Sequence, residues 1–276
     1  MREMRLIASC VLAAALGVAS GVWPDIRGRA ESSPARTAGP PAMAQVMAPP
    51  RWPAPKPGTW QVAYQRRGDG LPPVVDRIQT NDKVVFITID DGWEHDTRFV
   101  DVVRRQRVPI MVFLTDQAAR TGYEYFWALQ HAGAPIEDHT MDHAAPYNDM
   151  RRLSSAAQHR QICDSADIDA RQYGRRPQIF RPPGGSYDQV TRTAARDCGM
   201  KSVVIWSVEF YNGLSGKLAR MDGGSDLRPG DIILMHFRPG LAGDFERLLT
   251  WIRQAGLHPA ALQNYLPRSL GGEAAG

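Results

Sequence analysis

The sequence predicts an α/β fold in one main domain, with a parallel sheet closed or nearly closed into a β/α barrel. Three observations predict it. Strand-like and helix-like segments alternate from Lys83 onward, polar residues collect where the strands end, and the chain before Thr59 has a composition that cannot build a core. The 276 residues are enough for one such domain.

The chain begins with Arg2 and Arg5, an apolar run from Leu6 to Ala19, and small residues at Ala19 and Ser20. This reads as a signal peptide over residues 1–20, too short to span a bilayer, so export with cleavage is expected, without stable membrane insertion. Residues 21–58 are rich in Pro, Ala, Ser and Arg and read as a linker that buries too little surface to offset chain entropy. Residues 59–82, with Gly68-Asp69-Gly70 and Leu71-Pro72-Pro73, read as an ordered but irregular extension.

The domain proper is placed over residues 83–268, before a flexible tail at 269–276. Val84-Val85-Phe86-Ile87-Thr88-Ile89 is a run suited to a strand buried on both faces, ending in Asp90-Asp91-Gly92. A helix follows from Thr97 to Gln106, with Phe99, Val102 and Val103 on one face. Ile110 to Leu114 is a second buried strand, and a helix from Tyr123 to His131 stops at Gly133. Ala134 to Asp138 is a short strand leading to His139. The helix from Ser155 to Tyr173 ends at Gly174, and Gln178-Ile179-Phe180 is a strand leading to Arg181. A helix from Gln189 to Cys198, a strand from Lys201 to Val208, a strand from Asp231 to Met235 ending in His236, and a helix from Gly243 to Ala255 complete the pattern. In a β/α barrel the strand ends share one face, so Asp90, Asp91, His139, Arg181 and His236 are expected to meet.

Those residue types suit a metal centre. Two adjacent carboxylates at a buried strand end repel unless a cation or a shared proton relieves them. His139 and His143, four apart, are expected to project from one side of a helical turn. With a strand-end carboxylate they make a His-His-Asp set with room for water, which suits zinc. His95, His131, His159 and His258 lack such context, although His95 is close to Asp91 in sequence.

The motifs Thr88-Ile89-Asp90-Asp91-Gly92, His139-Thr140-x-x-His143, Arg181-Pro182-Pro183-Gly184-Gly185 and Leu234-Met235-His236 occur in this order, each at an expected strand end. Together they resemble four of the five motifs of the polysaccharide deacetylase family, the NodB-homology group or carbohydrate esterase family four, over about Lys83 to Pro267. The resemblance implies a distorted (β/α) barrel and removal of N-acetyl groups from an N-acetylglucosamine-type glycan, peptidoglycan or chitin-like. It implies one divalent metal ion held by Asp91, His139 and His143, with zinc the default and cobalt or nickel also fitting. By the same resemblance Asp90 is the general base, Arg181 its orienting partner and His236 the general acid. Gly184 is expected to offer a backbone N–H to the oxyanion, and Trp206 and Leu234 to contact substrate. Trp93 and Tyr211 are further candidates for a groove lining.

Two departures stand out. An aromatic residue is usual where Gly184 stands, so a more open groove wall is expected. In the fourth motif Glu209, Asn212 and Gly213 stand where Asp, Asp and Trp are usual, which weakens the support of His236. Two other readings therefore stay open: an O-acetyl esterase on xylan or a wall polymer, and a glycan-binding protein that keeps the metal centre without turnover.

The formal net charge is +4, without the tight basic stripe interleaved with aromatics that marks nucleic-acid binding. A glycan partner, a monomer and a secreted or wall-associated location are expected. With Cys10 lost in the signal peptide, Cys163 and Cys198 are a candidate disulfide, two buried free thiols being equally compatible with the sequence.

Overall fold

A computed structural model describes residues 60–64, 69–211 and 217–266, all within one compact unit spanning Ala48–Gly276. The regions read as signal peptide, linker and C-terminal tail lie outside the described residues.

The strands in chain order are β1 (Trp60–Tyr64), β2 (Val74–Thr80), β3 (Val84–Asp91), β4 (Ile110–Leu114), β5 (Ile136–Asp138), β6 (Ile179–Phe180), β7 (Ser202–Val204), β8 (Val208–Tyr211), β9 (Lys217–Arg220), β10 (Ile232–His236) and β11 (His258–Pro259). The helices are α1 (Thr97–Gln106), α2 (Asp116–Ala119), α3 (Tyr123–His131), α4 (Ser155–Tyr173), α5 (Gln189–Asp197) and α6 (Leu241–Gln254). The spatial order is β1-β2-β7-β6-β5-β4-β3-β10-β8-β9, with β11 added beside β3. Pairing is parallel except in the hairpins at the two edges, β1–β2 and β8–β9. The sheet curls into an incomplete barrel, the distorted (β/α) barrel that the sequence predicts.

Two expectations need correction. Residues 59–82 are not irregular throughout: they supply β1 and β2, and β2 belongs to the main sheet through its parallel pairing with β7. The strand expected over Lys201–Val208 is divided into β7 and β8, which occupy distant places in the sheet. In both cases local propensity hides a change of pairing partner.

β2 also reaches the start of β10. Arg77 bridges Asp231, and the Ile78 N–H donates to Gly230 O at 2.9 Å. The crossing is so close that a Cβ on Gly230 would lie 1.7 Å from Ile78 O, and its φ of +85° suits glycine.

β3 is buried along its whole length because it is covered on both faces. Ile87, Ile89, Ile233, Met235 and Phe237 pack outward with Phe99, Phe126 and Phe245 of α1, α3 and α6. Phe86, Met111, Phe113, Ile232 and Tyr265 fill the inside of the curl. A third cluster, with Ile162, Ala166, Ala194 and Phe180, seats α4 and α5. The period of two along the strands therefore sends Thr88, Asp90, Leu234 and His236 to the same inner side. Helix ends follow the residues present: Asp96 caps α1, Ser154 caps α4, and a reciprocal Asp188–Thr191 pair caps α5. Cys163 on α4 and Cys198 just after α5 are joined by a disulfide.

Candidate active site

Asp90 and Asp91 end β3, His139 follows β5, Arg181 follows β6, and His236 ends β10 in register with Asp90. Parallel strands place these ends at one rim.

Arg181 is fully buried, and its guanidinium makes four hydrogen bonds. Nη1 donates to Asp90 Oδ1 at 2.6 Å and to Thr88 Oγ1 at 2.8 Å, while Nε and Nη2 donate to the carbonyls of Val204 and Ile205, both at 3.1 Å. The guanidinium also lies 4.1 Å from the centre of the Phe113 ring. Burial pushes the Asp90 carboxyl above its ordinary value, opposed by Arg181 and His236. Burial likewise lowers Arg181. The pair is a fixed, desolvated carboxylate whose Oδ1 is committed to Arg181 and whose Oδ2 faces His139 Nε2 at 3.7 Å.

His139 Nδ1 lies 2.7 Å from Arg181 O. A carbonyl only accepts, so Nδ1 carries the proton, and the neutral ring leaves Nε2 as a lone pair. Burial drives the His139 pKa down to about 3, so the ring is neutral at ordinary pH. Its Nε2 is 3.6 Å from Asp91 Oδ1, and His143 Nε2 is 3.5 Å from the same oxygen. Asp91 Oδ1 is buried and has no hydrogen-bond partner among the described residues.

Electron-rich atoms of Asp91, His139 and His143 thus converge within 4.8 Å of one another. A divalent cation would satisfy all three, and two imidazoles with one carboxylate are a fitting donor set.

The route to this convergence differs from the expected one. His139 and His143 do not lie on a helical turn; residues 141–148 are bends and turns. Positive φ occurs at Asp91 (79°), Thr140 (77°), His143 (60°), Ala144 (53°) and Asn148 (52°). Such conformations are costly for residues with a Cβ, and they cluster here around the tripod. The turn is held locally: Asp138 Oδ1 accepts from Thr140 N at 2.7 Å, and Thr115 Oγ1 donates to His139 O at 3.0 Å. Gln161 on α4 accepts from Met141 N at 3.1 Å and donates to Asp142 Oδ1 at 2.6 Å.

Three contributors were not singled out from sequence. Thr88 supports Arg181, Gln161 fixes the loop, and Asn148 Oδ1 lies 3.2 Å from His143 Nδ1, leaving Nε2 for the ion. Thr88 lies inside the first motif; Asn148 and Gln161 carry no pattern that could have marked them.

Leu234 is buried on the inner side beside Thr88. Trp206 is partly buried against the inner cluster, with its ring edge against Gly185 and 5.9 Å from the Arg181 guanidinium. Gly184 has a φ of +60°, and a Cβ there would lie 3.3 Å from Asn148 O. The Asn148 backbone thus lies close beside the glycine. Trp93 and Tyr211 are exposed. Glu209 pairs with Leu234 across β8–β10, whereas Asn212 and Gly213 lie outside the described residues. His95 packs on Tyr125 and Phe126, with ring centres 5.1 and 5.4 Å away, and is not part of the tripod.

Residues 77–203 match the family model described as polysaccharide deacetylase. An uncharacterized protein of Streptomyces coelicolor is 40% identical over 204 residues, covering 72% of this chain and 80% of its own length. A peptidoglycan-N-acetylglucosamine deacetylase of Bacillus cereus is 26% identical over 133 residues, covering 47% of this chain and 59% of its own length. Among solved structures, a carbohydrate esterase family four pseudoenzyme from Bacillus anthracis superposes with a TM-score of 0.61 at 19% identity, covering 72% of this chain and 70% of that one.

Proposed function

The chain belongs to the polysaccharide deacetylase family, and from that premise we propose that it is a metal-dependent hydrolase removing N-acetyl groups from an N-acetylglucosamine-containing glycan, peptidoglycan or chitin-like. One observation carries the reading: the buried Asp90–Arg181 pair adjoins the Asp91, His139 and His143 tripod, with His236 beside Asp90 on the next strand.

A divalent ion held by that tripod, zinc by the donor set, would supply Lewis acidity to polarise a carbonyl and acidify water. Asp90 takes the proton from the attacking water at Oδ2, because Arg181 occupies Oδ1. Its burial makes it a stronger base than an exposed carboxylate, and Arg181 keeps it oriented and charged. His236 gives a proton to the departing nitrogen, which must leave as a neutral amine. The Gly184 N–H stabilises the oxyanion, Leu234 packs against the acetyl group, and Trp206 packs near the sugar.

Export to the cell surface or wall is proposed from the N-terminal sequence. Among the described residues no helix is long and apolar enough to cross a membrane.

A second reading, glycan binding without turnover, draws on the Asn212 and Gly213 departures and on the structural neighbour described as a pseudoenzyme. The test is acetate release by the full chain, with metal content determined on the same sample. Substrates are N-acetylglucosamine oligomers, peptidoglycan and acetylated xylan. Acetate from an amide substrate, lost in Asp91→Ala and His236→Ala, supports the deacetylase. Release from xylan alone moves the assignment to an O-acetyl esterase. Bound metal with no acetate from any substrate favours the binding protein.

A further inference from the structure

Between His143 and α4 the chain makes a compact turn that places one large aromatic ring at the surface. Tyr147 is 43% exposed. Its neighbour Asn148 touches the ring of His143 through the 3.2 Å Oδ1–Nδ1 contact, so the phenol stands one residue from a group that orients the metal tripod.

The turn is held in place from several sides. The Tyr147 N–H donates to Ala144 O at 3.1 Å. Asp149 accepts from the Arg151 backbone N–H at 3.0 Å, forms an ion pair with the Arg151 side chain at 2.9 Å, and accepts from the Ser186 hydroxyl. The last contact ties the turn to the loop carrying Gly184, where the Asn148 carbonyl occupies the space beside the glycine. One side of the Tyr147 ring is covered by Arg152, whose guanidinium carbon lies 3.9 Å from the ring centre. The stack fixes the ring without burying it.

A ring exposed on a restrained turn loses little conformational entropy on binding. The electron-rich face of a phenol matches the C–H face of a pyranose. We propose that Tyr147 is a sugar-stacking platform, holding a pyranose unit of the glycan beside the unit placed at the metal. This rests on the glycan reading of the site.

The experiment measures binding of an N-acetylglucosamine hexamer to the full-length parent, Tyr147→Ala and Tyr147→Phe by titration calorimetry. Zinc affinity and acetate release are followed on the same preparations. Tyr147→Ala is expected to raise the hexamer Kd roughly two- to tenfold, the scale of one aromatic contact. Tyr147→Phe is expected to restore it, because the ring rather than the hydroxyl makes the platform. Zinc affinity in Tyr147→Ala is expected to match the parent, which separates a lost platform from a collapsed turn. An unchanged Kd in Tyr147→Ala overturns the proposal, as does a parallel loss of zinc affinity or a parent that does not bind the hexamer. Acetate release with Tyr147-independent binding removes the platform alone. Tyr147-dependent binding without acetate release removes the deacetylase reading alone.

Discussion

Arg181 illustrates how much one side chain can hold together. Its guanidinium meets Asp90, Thr88 and two carbonyls in the interior, so its removal leaves a buried carboxylate and several acceptors without a donor. Arg181→Met is expected to cost about 3–5 kcal/mol, read from urea unfolding of the metal-free protein. Adding Asp90→Asn should recover part of that loss by removing the stranded charge, and a fully additive double variant would contradict the coupling. Asn148 acts more gently, through the orientation of His143. Asn148→Gly keeps the left-handed backbone available and removes the Oδ1 acceptor. It should weaken zinc binding about 10- to 100-fold in calorimetric titration, with unfolding nearly unchanged. Equal affinity in the two proteins would show that Asn148 does not orient the ligand. Arg181 was legible as a site residue because it follows a strand in a recognisable motif. Asn148 was not, because its role depends on a turn whose left-handed residues have no periodic signature.

At the scale of elements, α4 both seats the tripod loop through Gln161 and carries a buried acid, Asp169. Burial pushes the Asp169 carboxyl well above its ordinary value of 3.8, with Asp138 and Asp116 adding to the effect, and its Oδ2 has no hydrogen-bond partner among the described residues. The folded chain therefore holds this proton more tightly than the unfolded chain. From 3.8 up to the raised folded value the folded state binds more protons, so this group's contribution to stability falls as pH rises. Asp169→Asn removes that dependence. Its melting temperature should gain on the parent as pH rises from about 4 toward 7. A difference that stays constant over this range would rule out the assignment. The five longer helices were legible in the sequence because their apolar spacing and caps are local; the four-residue α2 was not. The divided β7 and β8 were not, since residues 202–211 form a β-compatible run whose two halves choose different neighbours.

Across the whole molecule, the Cys163–Cys198 bridge fastens α4 to the end of α5 behind the site. It closes a loop with a sequence separation of 35, for which chain entropy gives about 4 kcal/mol. Reduction by a dithiol, or Cys163→Ser with Cys198→Ser, should lower unfolding stability by about 2–4 kcal/mol in urea; no change would mean that packing of α4 on α5 suffices alone. The sequence by itself determined the alternating α/β architecture and the polar strand ends that form the site. A strand buried on both faces and an amphipathic helix write their periods directly into the chain, and parallel pairing carries their ends to one rim. Only the tertiary structure decided that β2 joins the sheet and crosses at Gly230, that His143 arrives through left-handed turn residues, and that the Asn148 carbonyl lies beside Gly184. These depend on contacts between segments far apart in the chain, where burial and steric fit choose the partner and local propensity has no say.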